Sequence, residues 1–156
     1  MQIQTALFGD LTIKDTDIIT FPDAIPGFSG EHEFVLIPLD DDSPFFYFQS
    51  VKTKELCLII TDPFTFFTDY EIKLDEESIQ KLEIIEGKTN IALYSILTIP
   101  EEFKKTTANL LAPIVINADK KIGLQFIAQN YDYNTKHFIF PQNQSEEIKP
   151  ATRKGL

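Results

Sequence analysis

The stretch DDDSPFFYFQS, residues 40–50, contains the strongest indication of fold in the sequence. Three aspartates lead through a Ser-Pro pair into four consecutive aromatic residues, Phe45 to Phe48. Side chains alternate between the two faces of a strand, so Phe45 and Tyr47 would share one face. Phe46 and Phe48 would share the other. Because neither face would be polar, the stretch predicts a strand that is buried on both sides or has one side open to a partner.

A second aromatic stretch, TDPFTFFTDYEI at residues 61–72, combines acids, a proline and rings in the same way. The chain contains 14 Phe, most of which are expected to fill the core of a small β domain. The two stretches nevertheless place too many rings close together for all of them to fit inside. Rings beside acids and prolines at strand ends resemble the anchors and rim of an interface, so a protein-binding surface is predicted.

Length and composition indicate one globular domain. The 156 residues are 43% hydrophobic, which is enough to bury a core without disulfides. The single cysteine, Cys57, lies in the apolar run LCLII, where a small buried side chain is expected, and this usage suits a reducing compartment. The N-terminus lacks the features of a signal peptide, and no apolar run approaches the roughly 18 residues of a membrane helix. We therefore expect a cytoplasmic protein.

The formal net charge is −10, from 24 acidic and 14 basic residues. An acidic surface repels phosphates, so direct binding of nucleic acid is disfavoured. The excess of acids can serve solubility alone, or it can face a basic partner.

Short apolar runs separated by turn residues predict mostly strands. The predicted strands cover residues 2–8, 11–14, 17–21, 34–39, 45–50, 56–61, 69–74, 91–99, 107–117 and 122–128. Gly9-Asp10 is expected to form the turn of the first hairpin. The single predicted helix begins after Asp75 as its N-cap and stops at Gly87.

This pattern predicts an all-β fold, either barrel-like or a sandwich, of which we favour a compact barrel-like antiparallel domain with one short helix. The domain would span residues 1–141. Residues 142–156 are rich in polar side chains and are expected to form a flexible tail.

No residue pattern indicates catalysis, a cofactor or a metal site. His32 and His137 each stand alone in the sequence, without the clustered ligands that zinc requires. Cys57 paired with a histidine could form a nucleophile and its base, but a cysteine inside an apolar strand is usually part of the core. The many carboxylates match no calcium-binding loop, and the chain has no glycine-rich phosphate loop.

Several long motifs, in their order along the chain, resemble one known family. They are the opening MQIQT, the loop ITFPDAIPGF, the two aromatic stretches DDDSPFFYFQS and TDPFTFFTDYEI, and the segment TANLLAPIVIN. Together they are similar to the bacterial flagellar assembly factor FliW family, and the resemblance covers roughly residues 1–133.

The resemblance implies a protein that binds other proteins and catalyses no reaction. Members of this family hold CsrA, a small dimeric RNA-binding regulator that represses translation of flagellin mRNA. Flagellin is the competing partner, which displaces CsrA from FliW. The resemblance also implies a β-barrel-like fold and a noncompetitive mechanism, in which FliW grips a C-terminal extension of CsrA and does not cover its RNA surface. We expect a monomer when free.

A partner surface is predicted along the edge formed by the two aromatic stretches and the segment around Pro113. The expected contacts with CsrA or flagellin are Pro44, Phe45, Asp62, Phe64, Phe67, Tyr70, Glu71, Asn109, Ala112 and Pro113. Two other classes of protein remain open. A barrel that binds a small hydrophobic ligand would need a closed apolar cavity, and an enzyme would need Cys57 to be reactive.

Overall fold

The structure is a computed structural model that describes residues 1–129 and 132–142. Strands make up most of its regular structure. They are β1 (Gln2–Thr5), β2 (Gly9–Thr12), β3 (Ile18–Thr20), β4 (Glu33–Pro38), β5 (Phe45–Ser50), β6 (Cys57–Thr61), β7 (Ile91–Thr98), β8 (Thr107–Ala108), β9 (Ile114–Asn117), β10 (Ile122–Gln125) and β11 (His137–Phe138). The helix α1 covers Glu76–Lys81, and short 3-10 helices lie at Asp15–Asp17, Pro63–Thr65 and Phe103–Lys105.

Seven of these strands close into a barrel. Their order is β7-β6-β5-β4-β3-β10-β9, and β9 pairs again with β7. Strands that alternate in direction cannot close a ring of seven, so one neighbouring pair must be parallel. That pair is β3 and β10, where Thr20 and Ile122 are partners. The predicted all-β barrel is confirmed, and its antiparallel character holds for the other pairings around the ring.

The inner face of strand β5 is buried in the barrel, and its outer face is only partly covered. Phe48 is fully buried inside the barrel, and Phe46 packs against the same interior cluster. On the outer face, the ring of Phe45 lies 5.8 Å from the ring of Phe66. The ring of Tyr47 lies 5.1 Å from that of Phe8.

Three rings fill the centre of the barrel. Phe34 and Phe48 stack in parallel with their centroids 4.7 Å apart. Phe21 stands on edge against both, at 5.7 Å from Phe34 and 5.6 Å from Phe48. Edge-on and stacked contacts of this kind add to the free energy gained by burial alone.

The turn of the first hairpin lies earlier in the chain than the sequence predicted. Thr5 of β1 pairs with Gly9 of β2, so residues 6–8 form the loop and Gly9 belongs to the second strand. Gly9 has a φ of +67°, the left-handed conformation that commonly follows a three-residue hairpin loop. The Thr5 hydroxyl accepts a hydrogen bond from the Phe8 amide at 2.8 Å, which further fixes the loop.

Residues 69–74 do not form the predicted strand. The Tyr70 amide turns back to the Phe67 carbonyl at 3.0 Å. The Glu71 amide donates to the Tyr133 hydroxyl at 3.1 Å. Because these amides already have partners, they are not available to a neighbouring strand, and the segment crosses the barrel surface as irregular chain.

Helix α1 begins where the sequence predicted and ends earlier. The Asp75 carboxylate accepts a hydrogen bond from the Ser78 amide at 2.8 Å, which makes it the N-cap. The helix ends at Lys81, and Glu83 adopts a φ of +55° that interrupts it before Gly87. Ile85, which the predicted helix included, lies beyond its end and is 60% exposed.

The end of the described chain adds one short strand that the sequence did not predict. Strand β11 pairs with β8, which extends the sheet beyond β7. Of the predicted tail, Gln142 is described, and its side-chain amide donates to the Lys104 carbonyl at 2.9 Å. The rest of that prediction, residues 143–156, lies outside the described residues. No helix within the described ranges is long and apolar enough to cross a membrane.

A buried carboxylate holds the turn between β5 and β6. Glu31 accepts a hydrogen bond from the Ser50 hydroxyl at 2.6 Å and another from the Thr53 hydroxyl. These two hydroxyls favour the ionised form and lower the pKa of Glu31 below its usual value of 4.5.

We predict that Glu31→Gln destabilises the protein by about 1–3 kcal/mol near neutral pH, because an amide nitrogen cannot accept a hydroxyl hydrogen bond. The pKa of Glu31 is lower in the folded state, so its ionisation stabilises the fold fully above about pH 4.5. That contribution is lost as the pH falls through the folded-state pKa. In urea unfolding, the difference in free energy of unfolding between wild type and Glu31→Gln should therefore become smaller as the pH is lowered. A pH-independent difference would contradict this account, and Glu33→Gln at the exposed neighbouring position is the control.

Close packing at Gly123 generates a second prediction. A Cβ at this position of β10 would lie 2.7 Å from Cζ of Phe21, whose fully buried ring packs on edge against Phe34 and Phe48. Because the ring cannot move freely, Gly123→Ala should lower the free energy of unfolding by about 1–3 kcal/mol. In a Phe21→Leu background, Gly123→Ala should lower the free energy of unfolding by clearly less. Urea unfolding of the wild type, the two single variants and the double variant measures this difference. Equal costs in both backgrounds would mean that the ring is not the obstacle.

Candidate protein-binding surface

A groove of about 880 Å³ runs along the side of the barrel. One wall is the irregular segment 70–74, continued by the start of α1, and the other is formed by residues 84–87 and strand β7. We call this recess the long groove. Residues 69–74 do not pair as a strand and α1 ends before Gly87, and both segments pack on the barrel through Ile72, Leu74 and Ile84.

The floor of the long groove is apolar. Val115 of β9 is fully buried beneath it, and Leu93 of β7 is half-buried. At the rim, Phe64, Ile85 and Ile91 are exposed by 44%, 60% and 47%. Large apolar side chains grouped around a recess are typical of a surface that binds another molecule.

The charged side chains that line the long groove are mostly acidic. Glu71, Glu76 and Glu86 lie along it, against one lysine, Lys73. A partner that contacts this rim is favoured if it carries lysine or arginine next to an apolar segment. The arrangement therefore resembles the apolar centre and polar rim of protein interfaces.

Three of the predicted contact residues, Phe64, Tyr70 and Glu71, come together at the long groove. The rings of Phe64 and Tyr70 lie 5.9 Å apart. The Tyr70 hydroxyl donates to the Leu110 carbonyl at 2.7 Å, and burial raises the pKa of this phenol. Tyr70 is therefore a buried support of the groove wall, while Phe64 and Glu71 are exposed to a partner.

Asp62 and Phe67 position neighbouring parts of the same surface. The Asp62 carboxylate accepts a hydrogen bond from the Phe64 amide at 2.9 Å and caps the 3-10 helix that carries Phe64. Phe67 is half-buried, with its ring 6.0 Å from that of His137. Both residues act through the local structure that they stabilise.

Pro44 and Phe45 lie away from the long groove. The Pro44 carbonyl accepts hydrogen bonds from the Thr61 hydroxyl at 2.8 Å and the Asp62 amide at 3.2 Å. Phe45 lines a separate recess of about 190 Å³, which we call the apolar pocket. Its lining residues are Leu39, Phe45, Phe46, Tyr47, Ile59, Leu97, Ile99, Phe103 and Thr106.

Asn109, Ala112 and Pro113 stabilise the connection between β8 and β9. The Ala112 amide donates to the Asn109 side chain at 2.9 Å, and the Ala112 carbonyl accepts from the Gln125 side chain at 2.9 Å. The side chains of Ala112 and Pro113 are buried. Of the predicted contact residues, Phe64, Tyr70 and Glu71 line the long groove. The others lie outside its lining.

Ile85 and Ile91 also belong to this surface, although the sequence did not indicate either of them. Ile85 falls within the predicted helix and Ile91 within the predicted strand 91–99. The positive φ of Glu83, which ends the helix and exposes Ile85, had no clear signal in the sequence. The exposure of Ile91 depends on its place at the end of β7.

The residues considered for catalysis have ordinary structural surroundings. Burial raises the pKa of the Cys57 thiol, which disfavours the thiolate that a nucleophile requires. The His32 Nδ1 lies 2.8 Å from the Phe21 carbonyl oxygen, and the His137 Nε2 accepts a hydrogen bond from the Asn134 amide at 2.9 Å. Within the described part of the chain, no three histidine, cysteine or carboxylate residues are grouped so that they could hold a metal ion.

Comparison with known sequences gives a consistent result. The sequence profile of a family described as FliW protein matches residues 2–139. A flagellar assembly factor FliW from Syntrophomonas wolfei is 46% identical over 147 residues, which are 94% of this chain and 94% of that relative. A flagellar assembly factor FliW from Geobacillus kaustophilus is 48% identical over 142 residues, which are 91% of this chain and 97% of the relative.

Comparison with solved structures agrees with the sequence matches. A crystal structure of the flagellar assembly factor FliW is similar with a TM-score of 0.85 and 44% identity, and the match covers 91% of this chain and 99% of that chain. The names of these relatives describe an assembly factor and not an enzyme. The resemblance noted in the sequence is confirmed, and the chain belongs to the FliW family of flagellar assembly factors.

Proposed function

We propose that this protein is a cytoplasmic antagonist of CsrA that relieves repression of flagellin mRNA, with flagellin as the competing partner. Membership of the FliW family supports the role in flagellar assembly. The long groove, with its apolar floor and acidic rim, is the observation that carries the proposal of a protein partner. It offers a place for an apolar segment with basic flanks.

The negative charge of the protein suits a partner that is itself an RNA-binding regulator. Such a regulator must present basic groups to phosphates, and a protein of net charge −10 is attracted to it. Glu71 and Glu86, on the rim of the long groove, would lie nearest to a bound segment. The same acids would repel a phosphate backbone, so RNA itself is an unsuitable occupant.

The mechanism we propose is noncompetitive with respect to RNA. An acidic protein held on CsrA outside the RNA surface lowers the positive potential there or shifts the conformation of CsrA. The two sites are then coupled, and RNA must weaken binding of this protein by the same factor as the protein weakens binding of RNA. Flagellin would release CsrA by taking the surface that CsrA uses or by a similar coupling.

A barrel that binds a small hydrophobic ligand is less well supported. The side chains of Phe21, Phe34, Phe48 and Ile60 have no exposed surface and occupy the barrel interior. The apolar pocket on the outer face has a volume of about 190 Å³. Pockets for drug-sized ligands are usually larger, at roughly 300–1,000 Å³.

We predict that Phe64→Ala and Glu71→Lys each weaken binding of CsrA by about tenfold or more, because the first removes an apolar anchor and the second reverses a rim charge. Calorimetric titration with CsrA from the same organism measures the effect. The matched controls are Phe138→Ala, at a phenylalanine exposed by 48%, and Glu55→Lys, at an exposed glutamate outside the long groove. If both groove variants are folded and bind like wild type, the long groove is not the CsrA site.

We also predict that RNA raises the apparent dissociation constant for CsrA only up to a plateau. A plateau is the result expected for two distinct sites with finite coupling. The measurement repeats the titration at increasing concentrations of a CsrA-binding RNA. An apparent dissociation constant that rises in proportion to RNA without limit would show that the two surfaces overlap, and the noncompetitive mechanism would be wrong.

A further inference from the structure

One side of strand β7 lacks a neighbouring strand over half of its length. On its other side β7 pairs with β8 and β9, and the pairing with β9 covers residues 91–94. On the first side its strand partner is β6, which pairs with β7 at Ser95 and Ile96. Strand β6 ends at Thr61, opposite Ser95, and the chain then turns into the 3-10 helix Pro63–Thr65. Within the described part of the chain, residues 91–94 therefore have no strand on the side of β6.

The alternation of backbone hydrogen bonds shows which groups of β7 lie at this edge. The Asn90 carbonyl accepts a hydrogen bond from the Ala118 amide at 2.8 Å, on the side of β9. Because backbone groups of successive residues in an antiparallel strand point to opposite sides, the even-numbered residues of β7 also bond toward β9. The amides and carbonyls of Ile91 and Leu93 point the other way. We call these backbone groups the open edge of β7.

The open edge borders the long groove. Ile91 and Leu93 both line this groove, and Ile91 is exposed by 47%. Phe64, on the 3-10 helix that follows β6, lines the same groove. The Phe64 amide donates to the Asp62 carboxylate and is not available to β7. Unpaired backbone groups at the edge of a sheet are a template for a strand from another chain.

The long groove specifies the side chains that such a strand would carry. Alternate side chains of a strand beside β7 face the same side as Leu93, which is the apolar floor of the groove. Glu71 and Glu86 on the rim favour a lysine or arginine at an end of the strand. An α-helix uses its backbone groups internally, so a helical partner would leave the open edge unpaired.

We propose that the long groove holds its protein partner as an extended strand that pairs with the open edge of β7 at Ile91 and Leu93. The bound segment has apolar side chains at alternate positions and a basic residue at one end. Main-chain hydrogen bonds supply affinity, and the groove selects the side chains. This inference rests on the proposed function, because it takes the long groove as the site of CsrA, and it adds the conformation of the bound segment.

Amide hydrogen exchange, followed residue by residue by NMR, tests this mode of binding. In the free protein, the amides of Ile91 and Leu93 should exchange about tenfold or more faster than those of Ala92 and Tyr94, which bond to β9. Saturation with CsrA from the same organism should slow exchange at Ile91 and Leu93 by about tenfold or more. Ala92 and Tyr94 are the controls, since their amides have the same partners with and without CsrA.

Two outcomes of the exchange measurement separate this inference from the proposed function. If calorimetry shows that CsrA binds while exchange at Ile91 and Leu93 is unchanged, strand addition is wrong and the antagonist role stands. If a folded sample does not bind CsrA, the proposed function itself is wrong, and the occupant inferred from it is wrong as well.

A pair of variants at Ile91 tests the backbone donor separately from the side chain. Ile91→Ala removes the apolar side chain, whereas Ile91→Pro also removes the amide hydrogen. Ile91 is the first residue of β7, a position where a strand tolerates proline, and urea unfolding checks that both variants are folded. Strand addition predicts that Ile91→Pro binds CsrA about tenfold more weakly than Ile91→Ala. Equal affinities of the two folded variants would overturn the proposed pairing.

Discussion

The packing of three rings at the centre of the barrel is the constraint on which the rest of the structure depends. Phe34 and Phe48 stack on each other and Phe21 stands on edge against both. This contact fixes the register of β4 against β5, since a slip of one residue would turn every side chain to the opposite face. It also requires Gly123 on β10, where a methyl group would collide with Phe21.

Because the barrel interior is filled by its own side chains, the other apolar residues of β5 lie on the outer face of the sheet. With Phe46 and Phe48 inside, Phe45 and Tyr47 must point outward, where a sheet face would normally be polar. The first hairpin and the segment around Phe66 cover part of this surface. The first hairpin consists of the strands β1 and β2, whereas the segment around Phe66 follows a 3-10 helix and is irregular chain.

The role as an assembly factor is consistent with this architecture. A barrel whose interior is filled by its own side chains can bind a partner only on its surface, where an apolar recess lies among acidic side chains. The backbone that carries the exposed side chains of Phe64 and Ile85 is held by hydrogen bonds. The Phe64 amide donates to the Asp62 carboxylate, and the Ile85 amide donates to the Thr89 hydroxyl. A rigid scaffold with such rims is suited to holding a partner.

The sequence by itself determined the all-β class, the apolar character of both faces of β5, the Asp75 cap and the family resemblance, because these depend on side-chain alternation, local capping and motif order. Phe64 and Glu71, two of the predicted partner contacts, line the same groove. Only the tertiary structure decided the parallel pairing of β3 with β10, the irregular course of residues 69–74 and the exposure of Ile85. The first two depend on partners distant in the chain, such as the Tyr133 hydroxyl that accepts a hydrogen bond from the Glu71 amide, and no local pattern encodes such a contact. The third depends on the positive φ of Glu83, which has no clear signal in the sequence.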